Sequence, residues 1–238
     1  MQRVIVITGA SRGIGEACAL QFAQPQTKLI LLATKKSHLK NISTLCKDKG
    51  AQVHCLSLNL ADKLAIKTMI QDILYEHGKI DVLINNAGIW IEKPFMSGDM
   101  DEWDEALDVN LKGCIHLTRY ALEGMSEGSS VVFIASIASR KVYAGGTNYC
   151  ATKFGLLGFA GSLFEDIREK GIKVSSILPG VVNTDMHKSD DSLIKEKMIQ
   201  PEDIAHAVSY VVSTPVHICP TELTLMPQKN PRVYNKQR

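Results

Sequence analysis

The 238 residues hold 27 Lys and Arg against 25 Asp and Glu, a formal net charge of +2, and 45% of them are hydrophobic. This near-balance gives no global field to draw in nucleic acid or an anionic membrane surface, while the apolar fraction suffices for the core of one large α/β domain. The cysteines (Cys18, Cys46, Cys55, Cys114, Cys150 and Cys219) include no C-x-x-C pair, and no apolar run approaches the ~18 residues that span a bilayer. Reduced thiols in a soluble cytoplasmic protein are expected, and a strand starting at Arg3 or Val4 leaves no room for a signal peptide ahead of it.

In chain order, β-branched runs predict strands at Val4 to Thr8, Lys28 to Leu32, Gln52 to Leu58, Ile80 to Asn85, Ser130 to Ala135, Lys173 to Leu178 and Glu222 to Leu225. Amphipathic stretches separate them. Ile66, Met69, Ile70 and Ile73 recur at helical spacing, as do Ile204, Ala207, Val208, Val211 and Val212 behind Pro201, a residue suited to a first helical turn. This alternation predicts an α/β Rossmann fold: one doubly wound, mostly parallel sheet of seven strands with helices on both faces. The domain is expected to cover residues 1–228, with a short charged lid at 185–200 forming one small mobile helix. Residues 229–238 read as a polar, solvated tail, the alternative being a basic binding arm.

The first strand runs into Gly9-Ala10-Ser11-Arg12-Gly13-Ile14-Gly15 and then an apolar helical stretch. Glycines at such a turn let backbone N–H groups approach a pyrophosphate, whose charge is favoured by the positive end of the helix dipole. A plain connecting turn is the competing reading, and the strand-turn-helix order argues against it. An acid at the end of the second strand would accept hydrogen bonds from the adenosine ribose of NAD, but Ala33-Thr34-Lys35-Lys36 has none. Lys35, with Arg12 from the glycine turn, is instead placed to meet a 2′-phosphate, which favours NADP(H) over NAD(H). No metal is expected.

Downstream stand Asn85-Asn86-Ala87-Gly88, Asn110, Ser136, Tyr149-x-x-x-Lys153 and Pro179-Gly180 with Thr184. In this order they resemble the short-chain dehydrogenase/reductases over nearly the whole chain. The look is nearest to NADP-dependent 3-hydroxy acid dehydrogenases and 3-oxoacyl reductases. The resemblance implies catalytic roles for Asn110, Ser136, Tyr149 and Lys153. It also implies cofactor contacts from Gly9, Ser11, Arg12, Gly13, Ile14, Gly15, Thr34 and Lys35, from Asn59 and Leu60 beside the adenine, and from Asn86, Ala87 and Gly88. Tyr149, Lys153, Pro179, Gly180, Val182 and Thr184 complete that set. Asn59 stands where many relatives carry aspartate, and Thr221 to Pro227 replaces a common Asp-Gly-Gly ending of the last strand. A homodimer or homotetramer is implied.

Positions 149 and 153 lie one helical turn apart on the same face. A tyrosine with an ordinary pKa of about 10 must come down by roughly three units to cycle near pH 7, or about 4 kcal/mol. A lysine charge ~5 Å away supplies on the order of 3 kcal/mol, so Lys153 is expected to be nearly sufficient, with the positive nicotinamide ring of the oxidised cofactor adding the rest. Ser136, Trp90, Tyr143, Tyr149 and Met186, with Ile91, are expected around a small-molecule carbonyl or alcohol. The rival class is a non-catalytic dinucleotide sensor, which would need the glycine turn but not the Tyr, Lys, Ser and Asn set.

Overall fold

Each of the first six β-rich segments is followed by at least one helix that returns the chain to the same end of the sheet, so all seven strands run parallel. The computed structural model describes residues 2–188 and 190–232. The strands are β1 (Arg3–Thr8), β2 (Thr27–Ala33), β3 (Gln52–Ser57), β4 (Val82–Asn85), β5 (Ser130–Ile134), β6 (Lys173–Pro179) and β7 (Glu222–Leu225). Their order is β3-β2-β1-β4-β5-β6-β7, and every pairing is parallel. The chain reverses direction of winding between β1 and β4, and a cleft opens at the carboxyl ends of the strands there, as open α/β sheets require.

Strand limits follow the predicted ones within a residue, except that β4 starts late. Ile80 donates its N–H to Gly124 outside the ladder, and Asp81 turns its carboxylate onto the Val4 N–H at 2.7 Å.

Helices α1 (Gly13–Phe22), α2 (Lys40–Asp48) and α7 (Pro201–Ser213) pack on one sheet face; α3 (Lys63–His77), α5 (Cys114–Ala121) and α6 (Thr147–Ile167) pack on the other. Sequence signals set their ends. Asp62 accepts from the N–H groups of Leu64 and Ala65 at the start of α3, and Gly78 closes it in the left-handed region. Pro201 and a Gln200/Asp203 capping box start α7. Ile66, Ile70 and Ile73 of α3 and Ile204, Ala207, Val208, Val211 and Val212 of α7 are buried against the sheet. No helix among the described residues is long and apolar enough to cross a membrane.

Two expectations fail at the C-terminal side. The segment 185–200 forms no helix of its own but two single 3-10 turns, Asp185–His187 and Lys195–Lys197. Its backbone is committed elsewhere: Val182 bridges Ile199, and the Ile194 N–H donates to the Pro231 carbonyl at 2.8 Å. That bond also corrects the picture of a solvated tail. Pro231 is buried, and Leu193 forms an antiparallel bridge with Arg232. The start of the tail is therefore strapped onto the lid; Ser189 and residues 233–238 lie outside the described residues.

Candidate active site

The cleft at the β1/β4 switch has a volume of about 1050 Å³. Its floor is stitched by side chains. The Thr8 hydroxyl accepts from the N–H groups of Asn86 and Ala87, both at 2.9 Å, and Asn86 Nδ2 donates back to the carbonyls of Thr8 (2.9 Å) and Gly9 (3.2 Å). The ends of β1 and β4 are thus locked together beneath the glycine turn. Gly9 and Gly13 have φ of +62° and +56°, which disfavours any side chain. A Cβ on Gly15 would stand 2.2 Å from the Gly9 carbonyl oxygen, so only glycine lets the turn close on α1.

Arg12 precedes α1 without a side-chain cap, which leaves the first-turn amides of that helix open to an anion. The cradle of glycines, the uncapped amides and the size of the cleft fit a nicotinamide dinucleotide. Ser11, Arg12, Ile14, Thr34, Asn59, Leu60, Asn86, Ala87, Gly88, Pro179, Gly180, Val182 and Thr184 line the same cleft with Gly9 and Gly13. Gly15 sits behind the turn, and Lys35 stands exposed one residue beyond Thr34. Arg12 reaches not toward Lys35 but across to the lid, with Nη1 3.4 Å from Asp185 Oδ2. Both partners of that pair are largely exposed, so it contributes little and leaves the guanidinium free to change partner.

At the other end Ser136, Tyr149 and Lys153 converge. Ser136 leaves the tip of β5 and its Oγ accepts from the Ala138 N–H at 3.1 Å, which fixes the hydroxyl beside the Tyr149 phenol. Tyr149 is half-buried in the first turn of α6 and opens to the cleft. Lys153, 5% exposed, donates from Nζ to the Ile134 carbonyl at 2.9 Å and stands 5.6 Å from the centre of the Tyr149 ring.

In the chain without a dinucleotide, burial outweighs the pull of Lys153 on the phenol. Burial pushes Tyr149 up to about 12, against the downward pull of Ser136, and burial pushes Lys153 down to about 8. The ammonium lies over the ring and is held by a carbonyl, so desolvation wins at both groups. This site holds a protonated phenol at neutral pH, with a hydroxyl beside it and an ammonium beneath: three groups able to hold an oxygen and hand it a proton.

Asn110 lies one layer deeper and does not line the cleft. It falls in a π-helical turn, Asp108–Gly113, between α4 (Met100–Leu107) and α5. There its Oδ1 accepts from the Ile89 N–H and its Nδ2 donates to the Ile89 carbonyl, both at 2.8 Å. Asparagine is disfavoured in ordinary helix but matches both groups of one peptide here. A second contact, Nδ2 to Thr152 Oγ1 at 3.4 Å, ties it to the residue whose hydroxyl bonds the Tyr149 carbonyl at 2.8 Å. Thr152 carried no motif signal, although its spacing of three from Tyr149 places it on the neighbouring helical face.

Trp90, Tyr143 and Met186 line the outer half of the cleft, and Ile91 does not. Trp90 Nε1 donates to the Tyr143 hydroxyl at 2.9 Å, and the Trp90 ring meets His187 edge-on at 5.1 Å. Glu92, His187, Asp190, Leu193 and Arg232 also line it and were missed by sequence reasoning. They come from loops and from the tail, where no periodicity marks a residue as facing a site.

The short chain dehydrogenase family profile matches residues 3–194, and the chain belongs to this family of oxidoreductases. A 3-oxoacyl-acyl-carrier-protein reductase of Salmonella typhimurium is 33% identical over 222 residues, 89% of this chain and 90% of that protein. An uncharacterized oxidoreductase of Staphylococcus aureus is 32% identical over 227 residues, 94% of this chain and 97% of that protein. Among solved structures, an alcohol dehydrogenase from the archaeon Thermococcus sibiricus, complexed with 5-hydroxy-NADP, superposes with a TM-score of 0.89 at 27% identity, covering 98% of this chain and 100% of that one. A Burkholderia cenocepacia short chain dehydrogenase in complex with NADP gives 0.87 at 26% identity, covering 95% and 96%.

Proposed function

We propose that this chain is an NADP(H)-dependent oxidoreductase that interconverts a carbonyl and a secondary alcohol, with Tyr149 as the proton-transfer group. The observation that carries this reading is the convergence of Tyr149, Ser136 and Lys153 at one end of a cleft whose other end is the glycine cradle. The dinucleotide, when bound, supplies the hydride and, once oxidised, a positive ring that favours the phenolate.

The remaining work falls to the chain. Ser136, held by the Ala138 amide, donates to the reacting oxygen. Tyr149 gives that oxygen its proton, and the first turn of α6 stabilises the phenolate left behind through the helix dipole. Lys153 balances that charge from beneath the ring and can bond a ribose hydroxyl. Asn110 holds the Ile89 peptide and, through Thr152, the turn that carries Tyr149, so it acts as a positioning residue. The resemblance also gives the asparagine at this position a water in a proton relay, which would have to use what Ile89 and Thr152 leave of the Asn110 amide.

For cofactor choice, Lys35 has no acid beside it in Ala33-Thr34-Lys35-Lys36 and no ion-pair partner among the described residues. Relatives of solved structure carry NADP, which agrees with a 2′-phosphate at this end. The substrate is read as a ketone or aldehyde, with 3-oxoacyl groups and β-keto acids as candidates in the reducing direction and 3-hydroxy acids in the reverse. Exposed Phe95, Met96, Met100 and Phe154 support a homodimer or homotetramer.

The purified protein is expected to oxidise NADPH in the presence of a carbonyl panel, and Lys35→Asp to weaken NADPH binding about tenfold, the scale of one charge-assisted contact, while NADH binding is kept. Cofactor binding with no turnover of any carbonyl or alcohol would favour a sensor instead. An unchanged NADPH constant in Lys35→Asp, or a wild-type preference for NADH, would remove the 2′-phosphate reading.

A further inference from the structure

We infer that Arg232, carried by the C-terminal strap, is a substrate-specificity residue that selects carbonyl compounds bearing an anionic group, such as a carboxylate or phosphate. This rests on the reading of the cleft as a carbonyl-reducing site and names the substrate class that site takes.

Three contacts bring Arg232 to the cleft from the far end of the chain. Ile194 N–H bonds the Pro231 carbonyl at 2.8 Å, Leu193 bridges Arg232, and Asn230 Oδ1 accepts from the Arg232 N–H at 2.9 Å. The buried Pro231 anchors this strap, so the side chain that follows is set on a fixed backbone rather than on a loose end. Arg232 then lines the substrate half of the cleft with His187, Asp190 and Leu193.

Its charge is only loosely balanced there. Among the described residues the guanidinium makes one polar contact, to Asp190 Oδ2 at 3.7 Å, which is beyond hydrogen-bond distance, and the side chain is 61% exposed. Asp190 is itself engaged: its Oδ1 accepts from the Ser192 N–H at 3.1 Å and the Ser192 hydroxyl at 2.5 Å. The forked N–H groups of Arg232 therefore remain available for a planar anion, which they fit in a two-point fashion. Of the other charges lining the cleft, Arg12 and Asp185 form a loose exposed pair at 3.4 Å, and Lys153 is bonded to the Ile134 carbonyl. Glu105 and Glu92 line it too, and Glu92 acts on His187. Glu92 and Glu105 are the groups that would favour a cationic substrate, and so they define the opposing outcome.

The test compares kcat/KM of the full-length protein for three ketones of similar length: acetoacetate, ethyl acetoacetate and a trimethylammonium ketone. Acetoacetate is expected to be preferred over its ester. Arg232→Met should lower the acetoacetate-to-ester ratio about tenfold or more, mainly through KM for acetoacetate, and Arg232→Lys should restore part of it. Equal ratios in wild type and Arg232→Met, or a preference for the cationic ketone, would overturn the assignment while leaving carbonyl reduction standing. If the wild type reduces none of the three, and no other carbonyl, while binding NADPH, the carbonyl-reductase reading fails and this inference falls with it.

Discussion

Lys153→Met is expected to lower carbonyl turnover by about 10²-fold or more while raising the melting temperature at neutral pH. Both effects come from one buried charge. Burial lowers the Lys153 pKa from its ordinary 10.5 to about 8 in the folded chain. Between pH 8 and 10.5 the unfolded lysine holds a proton that the folded one has released, so stability rises with pH across that window, and the full penalty for burying the ammonium applies below it. At neutral pH the penalty is on the order of 3 kcal/mol, which the methionine removes. Loss of the bond to the Ile134 carbonyl returns about 1–2 kcal/mol of it, leaving a net gain of roughly 2–6 °C for a chain of this size. Thermal melts of both proteins at neutral pH and near pH 10.5 check this: the advantage of the methionine should shrink as pH rises. A variant that melts lower at neutral pH would mean that the ammonium is not a cost to the fold. Wild-type turnover should likewise fall as pH rises through about 8, where Lys153 loses the charge beneath the phenol.

The second large effect is expected at Gly15. In Gly15→Ala the new Cβ meets the Gly9 carbonyl oxygen at 2.2 Å and Asn86 Nδ2 at 2.6 Å, and neither is the free end of a flexible side chain. The Gly9 carbonyl is part of the cradle, and Asn86 is the clamp that joins β1 to β4. Relieving the contact must move one of them, at about 1–3 kcal/mol, the usual cost of overpacking. Dinucleotide affinity should fall at least tenfold and the melting temperature by several degrees. Gly158→Ala in α6 is the matched control, since nothing lies within 4 Å of its Cβ and alanine is the better helix former by about 1 kcal/mol. Thermal melting of the two variants should diverge in opposite directions and only Gly15→Ala should lose NADPH affinity; similar behaviour would remove the close-packing account of the glycine turn.

The sheet was legible because strands buried on both faces read as short apolar runs rich in aliphatic residues, of which Val4–Thr8 and Leu29–Leu32 are the clearest. The glycine turn and the Tyr149/Lys153 spacing were legible because both are local, set by backbone sterics and the helical period. What escaped depends on distant contacts. The segment 185–200 reads as one small helix because it is short, rich in charge and stands where the resembled family carries a lid, but its backbone pairs with Pro231, Arg232, Val181 and Val182 instead. Arg232 looked like one more charge in a polar tail for the same reason. The upward push of burial on Tyr149 was not legible, because Coulomb attraction can be estimated from spacing, whereas desolvation depends on everything packed around the pair.

Single-turnover mixing of the NADPH complex with a reducible ketone, wild type against Tyr149→Phe, tests the central claim most directly. The phenylalanine keeps the ring that packs over Lys153 and deletes only the proton donor. NADPH binding should be retained within a few-fold, while the loss of nicotinamide absorbance on mixing should slow by about 10²–10⁴-fold, the usual contribution of a positioned general acid. A Tyr149→Phe protein that oxidises NADPH at the wild-type rate would contradict the account, because the proton would then be coming from another group.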